Sequence, residues 1–467
     1  MKPGTESAHR GQRGFSLLEL VVSLFIAIQI LIAAAVAFDV HSKMARVQTQ
    51  VTDLQQSLRV GQYDIVRLLR MAGRGSLPVA LDPDAVYDPT DTIPELRGFA
   101  IEVRNNVAGD DRYIARGDAT SPQAIEGSDI LTVRGCFSGT VYQVNPEDWT
   151  ATDTVGADGI ADQGTFPIPK TSQAGLTQPL GPLVEEIDAY GAAVVKGRMI
   201  LTAKESLQTY GIVTVVQRVV TGADTDPDSV AMTVDLATNS TLNPVDDETG
   251  VRVFPEAMAP QLACFLEEYR YYVRTVAGDA ITPLRPRLTR ARFEPGTETS
   301  YLGDDSNFTL DLADGLFDLQ VALGLDTDYC VGCDAGEGAF GDDEDTIGPD
   351  DTIYEADLTD DAADGTIDDW LHNDPGDRPA DSQYALHANG VNAGNIAQTY
   401  FVRLTTVART LRPDRDYEAP DFDTRTDGDW VEDHDYDSGA AASWKSGDNL
   451  KHRRRSLTTI VDMRNAQ

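Results

Sequence analysis

The strongest constraint on this chain is an apolar run over residues 15–38, FSLLELVVSLFIAIQILIAAAVAF, whose only charge is Glu19. As a helix it would be about 36 Å long at about 1.5 Å per residue, enough to cross the hydrocarbon core of a bilayer. Upstream, Lys2, Arg10 and Arg13 stand against the single acid Glu6, so the positive-inside bias places the N-terminus in the cytoplasm. A cleaved secretory signal would have a shorter apolar core ending at a small-residue site. Here Ala33-Ala34-Ala35 runs straight into further helical sequence. A plain signal-anchor is the simplest alternative on hydropathy, but a carboxylate inside a membrane segment is costly and rarely kept without a partner.

The helical pattern continues past the apolar run. Val40, Met44, Val47, Val51, Leu54, Leu58, Ile65 and Leu68 form one stripe, with Gly61 in the skipped position. Lys43, Arg46, Gln48, Gln50, Asp53, Gln55 and Gln56 make the polar face between them. No proline falls within residues 15–77, and Gly73, Gly75 and Pro78 supply the stop signals. A helix from residue 15 to about residue 72 would be roughly 87 Å long. Its first half is expected in lipid or a filament core, and its second half against a globular head. A free coiled coil is disfavoured by the short repeat.

After Pro78 the pattern turns to short β-type runs. Phe99-Ala-Ile-Glu-Val-Arg, Asp129-Ile-Leu-Thr-Val-Arg, Gly211-Ile-Val-Thr-Val-Val, Tyr269-Arg-Tyr-Tyr-Val-Arg and Phe401-Val-Arg-Leu-Thr-Thr-Val alternate or are β-branched, and Ser456-Leu-Thr-Thr-Ile-Val-Asp-Met-Arg closes the chain. Strands after one long helix imply an α+β fold, with an antiparallel sheet packed on the helix stripe.

Composition narrows the function classes. Lys+Arg number 38 and Asp+Glu 76, a net charge of −38, so the body has no basic face suited to nucleic acid or to anionic lipid. Hydrophobic residues are 41%, too many for a wholly disordered chain. The six histidines (His9, His41, His372, His387, His434, His452) lie outside any nucleophile or metal motif, and no Gly-x-Ser-x-Gly, P-loop or His-Glu-x-x-His is present. An enzyme is not expected.

The junction Arg13-Gly14-Phe15-Ser16-Leu17-Leu18-Glu19 resembles the cleavage site of type IV prepilins and type II secretion pseudopilins. Their pattern is a basic leader ending in Gly, a cut before Phe and Glu at the fifth mature position. The resemblance implies that a membrane prepilin peptidase cuts after Gly14 and methylates the new amine of Phe15. It also implies that Glu19 assists assembly, its charge neutralised by the Phe15 amine of a neighbouring subunit. Ser128-Asp-Ile-Leu-Thr-Val-Arg, Glu267-Glu-Tyr-Arg-Tyr-Tyr-Val, Asp314-Gly-Leu-Phe-Asp-Leu-Gln-Val-Ala-Leu-Gly-Leu-Asp and the ending Arg453-Arg-Arg-Ser-Leu-Thr-Thr-Ile-Val-Asp-Met-Arg-Asn are similar to the head of PilW-type minor pilins. Major pilins commonly carry a proline in the apolar half; this chain has none.

The expected organisation is a leader (1–14), which the resemblance implies, a membrane or filament-core helix (15–38), its amphipathic continuation (39–75), a β-rich head (76–325), an acidic insertion (326–384), marked by composition alone, and C-terminal head strands (385–467) with an acidic loop at 414–437. The resemblance implies a structural subunit, single-pass in the inner membrane with a periplasmic head and then on the surface pilus, at or near the tip. Its partners would be the peptidase, other minor and major pilins, the inner-membrane assembly platform and a tip adhesin; no residue pattern points to nucleic acid. A J-type pseudopilin, and a calcium-responsive adhesive module on a pilin stalk, are the alternatives.

Residues 326–377 hold 19 Asp or Glu and no Lys or Arg, so they cannot bury a core of their own. The simplest expectation is a solvated loop. Asp360, Asp364-Gly365 and Asp368 partly mimic a calcium loop, but Ala362 and Leu371 occupy two positions that should ligate. Ca²⁺ is therefore the one cofactor to test. Of the four cysteines, the expected pairing outside the cytoplasm is Cys330 with Cys333 and Cys136 with Cys264, although four cysteines permit three connectivities. Zinc would need two further ligands, and a redox Cys-Val-Gly-Cys lacks a thioredoxin-like setting.

Overall fold

The computed structural model describes residues 16–75, 77, 100–137, 141–152, 163–169, 184–187, 193–203, 210–218, 229–236, 242–243, 260–277, 284–298, 309–326, 370–371, 398–414, 417, 430–431, 434–435 and 451–462. The chain divides into two compact units, Met1–Asp53 and Leu54–Gln467. One helix, α1 (Leu17–Leu69), runs through the boundary.

In the first unit α1 is an exposed apolar rod, with every residue from 16 to 41 exposed. It is the one helix among the described residues that is long and apolar enough to span a membrane. Its polar continuation carries an exposed Lys43–Asp39 pair at 3.2 Å, one helical turn apart.

The second unit is built of strands around the last turns of α1. In chain order these are β1 (Ile101–Arg104), β2 (Ile130–Gly135), β3 (Tyr142–Gln143), β4 (Thr150–Thr152), β5 (Gln163–Pro169), β6 (Val184–Ile187), β7 (Ala193–Lys196), β8 (Arg198–Thr202), β9 (Tyr210–Arg218) and β10 (Ser229–Asp235). They continue with β11 (Leu262–Ala277), β12 (Leu284–Phe293), β13 (Thr309–Asp314), β14 (Leu316–Asp326), β15 (Trp370–Leu371), β16 (Gln398–Arg409), β17 (Trp430–Val431), β18 (His434–Asp435) and β19 (Arg454–Asp462). Each strand-like run singled out in the sequence contributes its described residues to one of these strands, apart from Ala100 and Asp129, which stand just before β1 and β2, and every pairing among the strands is antiparallel.

The largest sheet has eleven strands, and β11 joins its two parts. Residues 262–266 of β11 pair with β8, whereas residues 267–271 pair with β2 and residues 268–277 with β12. A separate four-stranded sheet has the order β15-β14-β16-β19. β14 and β16 form a ladder that ends at Asp326 opposite Gln398, and β15, from within the acidic insertion, pairs with β14 at Leu323 and Gly324.

The principal core lies between the helix stripe and both sheets. Leu54, Leu58, Ile65, Leu68 and Leu69 pack with Leu131, Val133, Tyr271, Leu288, Leu316, Leu319, Leu404 and Val461. The stripe expected at 54–68 is thus buried in this unit. Gly61 is needed where it stands, because a Cβ there would lie 2.9 Å from Leu288 Cδ2 and 3.3 Å from Leu316 Cδ2. A second cluster on alternate residues of β8 and β9, including Met199, Leu201, Val213 and Val215, packs with Phe166 and Phe265. Alternation therefore divides these strands between two cores.

Candidate functional site

The first candidate is the start of α1. Glu19 lies in its first turn, and the Glu19 N–H donates to Ser16 Oγ at 3.2 Å while the Leu20 N–H donates to Ser16 O at 3.1 Å. Ser16 therefore caps the helix, and Ser16-Leu17-Leu18-Glu19 has the spacing of a capping box. A carboxylate in this turn also meets the positive end of the helix dipole. The cap is legible in the sequence as Ser16 followed three residues later by Glu19. Gly14 and Phe15 lie outside the described residues.

The second candidate is the joint that locks the last turns of α1 into the body. Gln62, only 4% exposed, sits on the otherwise apolar stripe. Its Nε2 donates to Leu457 O at 2.6 Å and Thr406 Oγ1 at 3.1 Å, and its Oε1 accepts from Thr459 Oγ1 at 2.7 Å. One helix side chain thus ties to both β16 and the C-terminal strand β19. Two residues on, Asp64 Oδ2 accepts from Tyr271 Oη at 2.9 Å and from Arg290 Nη1 at 2.8 Å. Burial, and then the Asp64 carboxylate, push the Tyr271 phenol well above its ordinary pKa. Tyr271 therefore stays a hydrogen-bond donor through the neutral range.

Past the helix end, the Gly73 N–H donates to Arg134 O at 3.1 Å and the Cys136 N–H to Arg74 O at 3.0 Å. Gly75, at φ +107°, lies directly over a Cys136–Cys264 disulfide whose Cα atoms are 6.1 Å apart. A Cβ at Gly75 would fall 2.7 Å from one sulfur and 2.8 Å from the other, so only glycine fits the conformation and the space. This is the expected Cys136–Cys264 pair. Cys330 and Cys333 lie outside the described residues.

The third feature is a buried charge network on the sheet face opposite the helix. Arg134 Nη2 is 2.6 Å from Glu102 Oε2, and its Nε is 2.7 Å from Glu268 Oε2. Arg270 Nη2 reaches Glu268 Oε1 at 2.8 Å, its Nη1 reaches Glu298 Oε2 at 2.7 Å, and Arg116 Nη2 is 3.1 Å from Glu102 Oε1. Burial alone would raise the Glu102 carboxyl, but Arg134, Arg116 and Arg270 outweigh it and hold the group well below the carboxylate range. Glu268 is likewise lowered, burial being outweighed by Arg134 and Arg270. The guanidiniums also fix loop backbone. Arg104 donates to Tyr113 O at 2.9 Å and Ile114 O at 3.0 Å, and Arg270 to Ile114 O at 2.7 Å and Thr297 O at 2.8 Å. Every acid in this cluster is paired with a cation, and all but the half-buried Glu298 are buried, so the arrangement clamps loops.

Among the described residues, no group of three or more His, Cys, Asp or Glu is placed to hold a metal ion. The calcium candidates Asp360, Asp364 and Asp368 lie outside the described residues. No family model matches this chain, and neither the curated proteins nor the solved structures contain a match.

Proposed function

We propose that this chain is a structural minor pilin of the PilW type. In this reading a prepilin peptidase cuts after Gly14 and methylates Phe15. The matured subunit waits in the inner membrane with its head in the periplasm, then joins other minor pilins at or near the tip of a type IV pilus and helps start its assembly. One observation carries the reading: a Gly14–Phe15 junction stands immediately before a capped helix that carries Glu19 in its first turn. That helix is apolar and exposed over residues 16–38, and continues without a break into a stripe buried in a β-rich body. A simple membrane anchor needs neither the carboxylate nor the continuity. A filament subunit uses both, because one helix then supplies the membrane segment and, in its last turns, part of the head's core.

Glu19 supports the same reading through its energetics. Its place at the helix dipole lowers the cost of a charge in lipid, and pairing with the Phe15 amine of a neighbour would remove the remainder on assembly. Replacing Glu19 by Ala should therefore reduce incorporation into filaments, measured by immunoblot of sheared pili, with the head's melting temperature unchanged. The deciding experiment is N-terminal mass analysis of the membrane-extracted protein with and without the peptidase. A chain beginning at N-methylated Phe15 only when the peptidase is present supports the class. A chain that still begins near Met1 sinks it. Co-purifying partners then separate a pilus from a secretion pseudopilus.

A further inference from the structure

The last turns of α1, inside the second unit, depart from the charge of the rest of the chain. Residues 54–75 carry four arginines and one acid, Asp64, in a chain whose net charge is −38. Arg59, Tyr63, Arg67 and Arg70 follow at steps of four, four and three, so they share one stripe of the helix and its final turn, and all four are exposed. Among the described residues no ion pair holds Arg59, and Arg67 meets Asp64 Oδ1 at 3.3 Å with 52% of its side chain in solvent. Arg70 is also engaged within its own chain. Beside this stripe Val60 is 48% exposed, and Tyr63 within it is 72% exposed. Edge strand β13 borders the helix at this level. A Cβ at Gly61 would stand 3.5 Å from Ala313 Cβ, and Leu310, 51% exposed, lies opposite Arg290, whose guanidinium holds Asp64 at 2.8 Å. Of the four large apolar side chains exposed in the described part of the second unit, three thus lie along one flank of α1, rimmed by arginine.

We propose that this flank of α1 docks an amphipathic helix of a different protein, one that carries carboxylates on either side of an apolar stripe. An exposed Tyr with Val and Leu beside it, framed by arginines, has the composition of an interface centre, where aromatic rings and guanidiniums contribute most. From Arg59 to Arg70 the stripe rises about 17 Å at about 1.5 Å per residue, three helical turns, so a helix laid alongside meets it charge for charge. Exposed guanidiniums take carboxylates through paired N–H donors. Two copies joined through this face would set arginine against arginine, so its charge selects a different partner. A nucleic acid would use the arginines through its phosphates but leave Val60 and Leu310 exposed. The inference rests on this flank alone and not on the minor-pilin reading.

The test puts the photo-cross-linker p-benzoylphenylalanine in place of Tyr63 in the full-length chain, in its own cells. The same group in place of Ala119, an exposed loop residue, is the control. Products are purified through the chain, and the linked peptide is sequenced by mass spectrometry. The expected product forms from position 63 and not from position 119. It joins a different protein, within a segment whose carboxylates flank helically spaced apolar residues. Arg59→Glu combined with Arg67→Gln should lower its yield about fivefold, because one attraction is reversed and another removed. Changing two of the partner's flanking carboxylates to Lys should then restore it. The purified double variant should melt as wild type does. If loss of the Arg67–Asp64 contact lowers its melting temperature, Arg59→Glu alone must still reduce the yield. The proposal is overturned by no product from position 63, by the same product from position 119, or by a yield indifferent to Arg59→Glu. It is equally overturned by a product with a second copy or with the chain's own residues, by a linked segment without carboxylates, or by a nuclease-sensitive product.

Discussion

Replacing Arg134 by Met should be among the most damaging single changes in the body. The guanidinium is 2% exposed and lies between Glu102 at 9% and Glu268 at 0%. An exposed ion pair contributes about 0.2–1 kcal/mol, but removing one partner of a buried pair costs about 3–5 kcal/mol, because the abandoned charge stays desolvated. Here Arg116 still reaches Glu102 and Arg270 still reaches Glu268, so the loss should fall at the lower end, about 3 kcal/mol. Urea unfolding followed by near-ultraviolet circular dichroism, in constant detergent, measures it. The pH dependence sharpens the test. Both carboxyls are held below their ordinary values in the folded state. Their contribution is therefore fully present above about pH 4.5 and is lost as pH falls through the folded-state values. Without Arg134 that depression shrinks, so wild type and variant should differ most at neutral pH and converge below about pH 4.5. Adding Glu102→Gln and Glu268→Gln to the Met variant should recover part of the loss. A deficit under about 1 kcal/mol, or one that does not change with pH, would refute the argument that these charges are truly buried and interdependent.

Three further outcomes are expected. Replacing both Cys136 and Cys264 by Ala opens a cross-link of sequence separation 128, and loop entropy alone predicts a loss of about 5 kcal/mol at 25 °C, measurable as a large fall in melting temperature. Gln62→Leu should cost about 1–3 kcal/mol in urea unfolding, since Thr459 Oγ1 and Leu457 O lose their partner inside the core. Joining Asp326 to Gln398 through an Asn-Gly turn, with residues 327–397 and so the two-residue edge strand β15 removed, should leave a folded body, because Asp326 and Gln398 already face each other across the ladder. An unfolded product would show that the acidic insertion is part of the core.

The elements themselves were largely legible. The stripe at Leu54, Leu58, Ile65 and Leu68 has helical spacing and is buried as that spacing requires, and Gly61 fills its gap because Leu288 and Leu316 close on it. The Gly14–Phe15 junction on which the proposed processing rests is likewise a pattern of a few adjacent residues. What the sequence hides is the destination of its polar residues. Ile101-Glu-Val-Arg, Ile130-Leu-Thr-Val-Arg and Tyr269-Arg-Tyr-Tyr-Val-Arg read as strands with one face in water. Glu102, Arg104, Arg134 and Arg270 are nevertheless buried, because loop segments around residues 111–116 and 294–298 cover that face. Gln62 misleads in the same way: a polar residue on a helix stripe reads as the edge of the core, yet it sits inside it.

The amino-acid sequence by itself determined the long apolar helix, its amphipathic continuation and the strand runs, because hydrophobic period and turn chemistry act over a few residues. Only the tertiary structure decided that Cys136 meets Cys264, that Arg134 meets Glu102 and Glu268, and that Arg409 faces Arg454. Each of those meetings follows from the register of strands far apart in the chain, and register is set by the packing of a whole face rather than by any one segment.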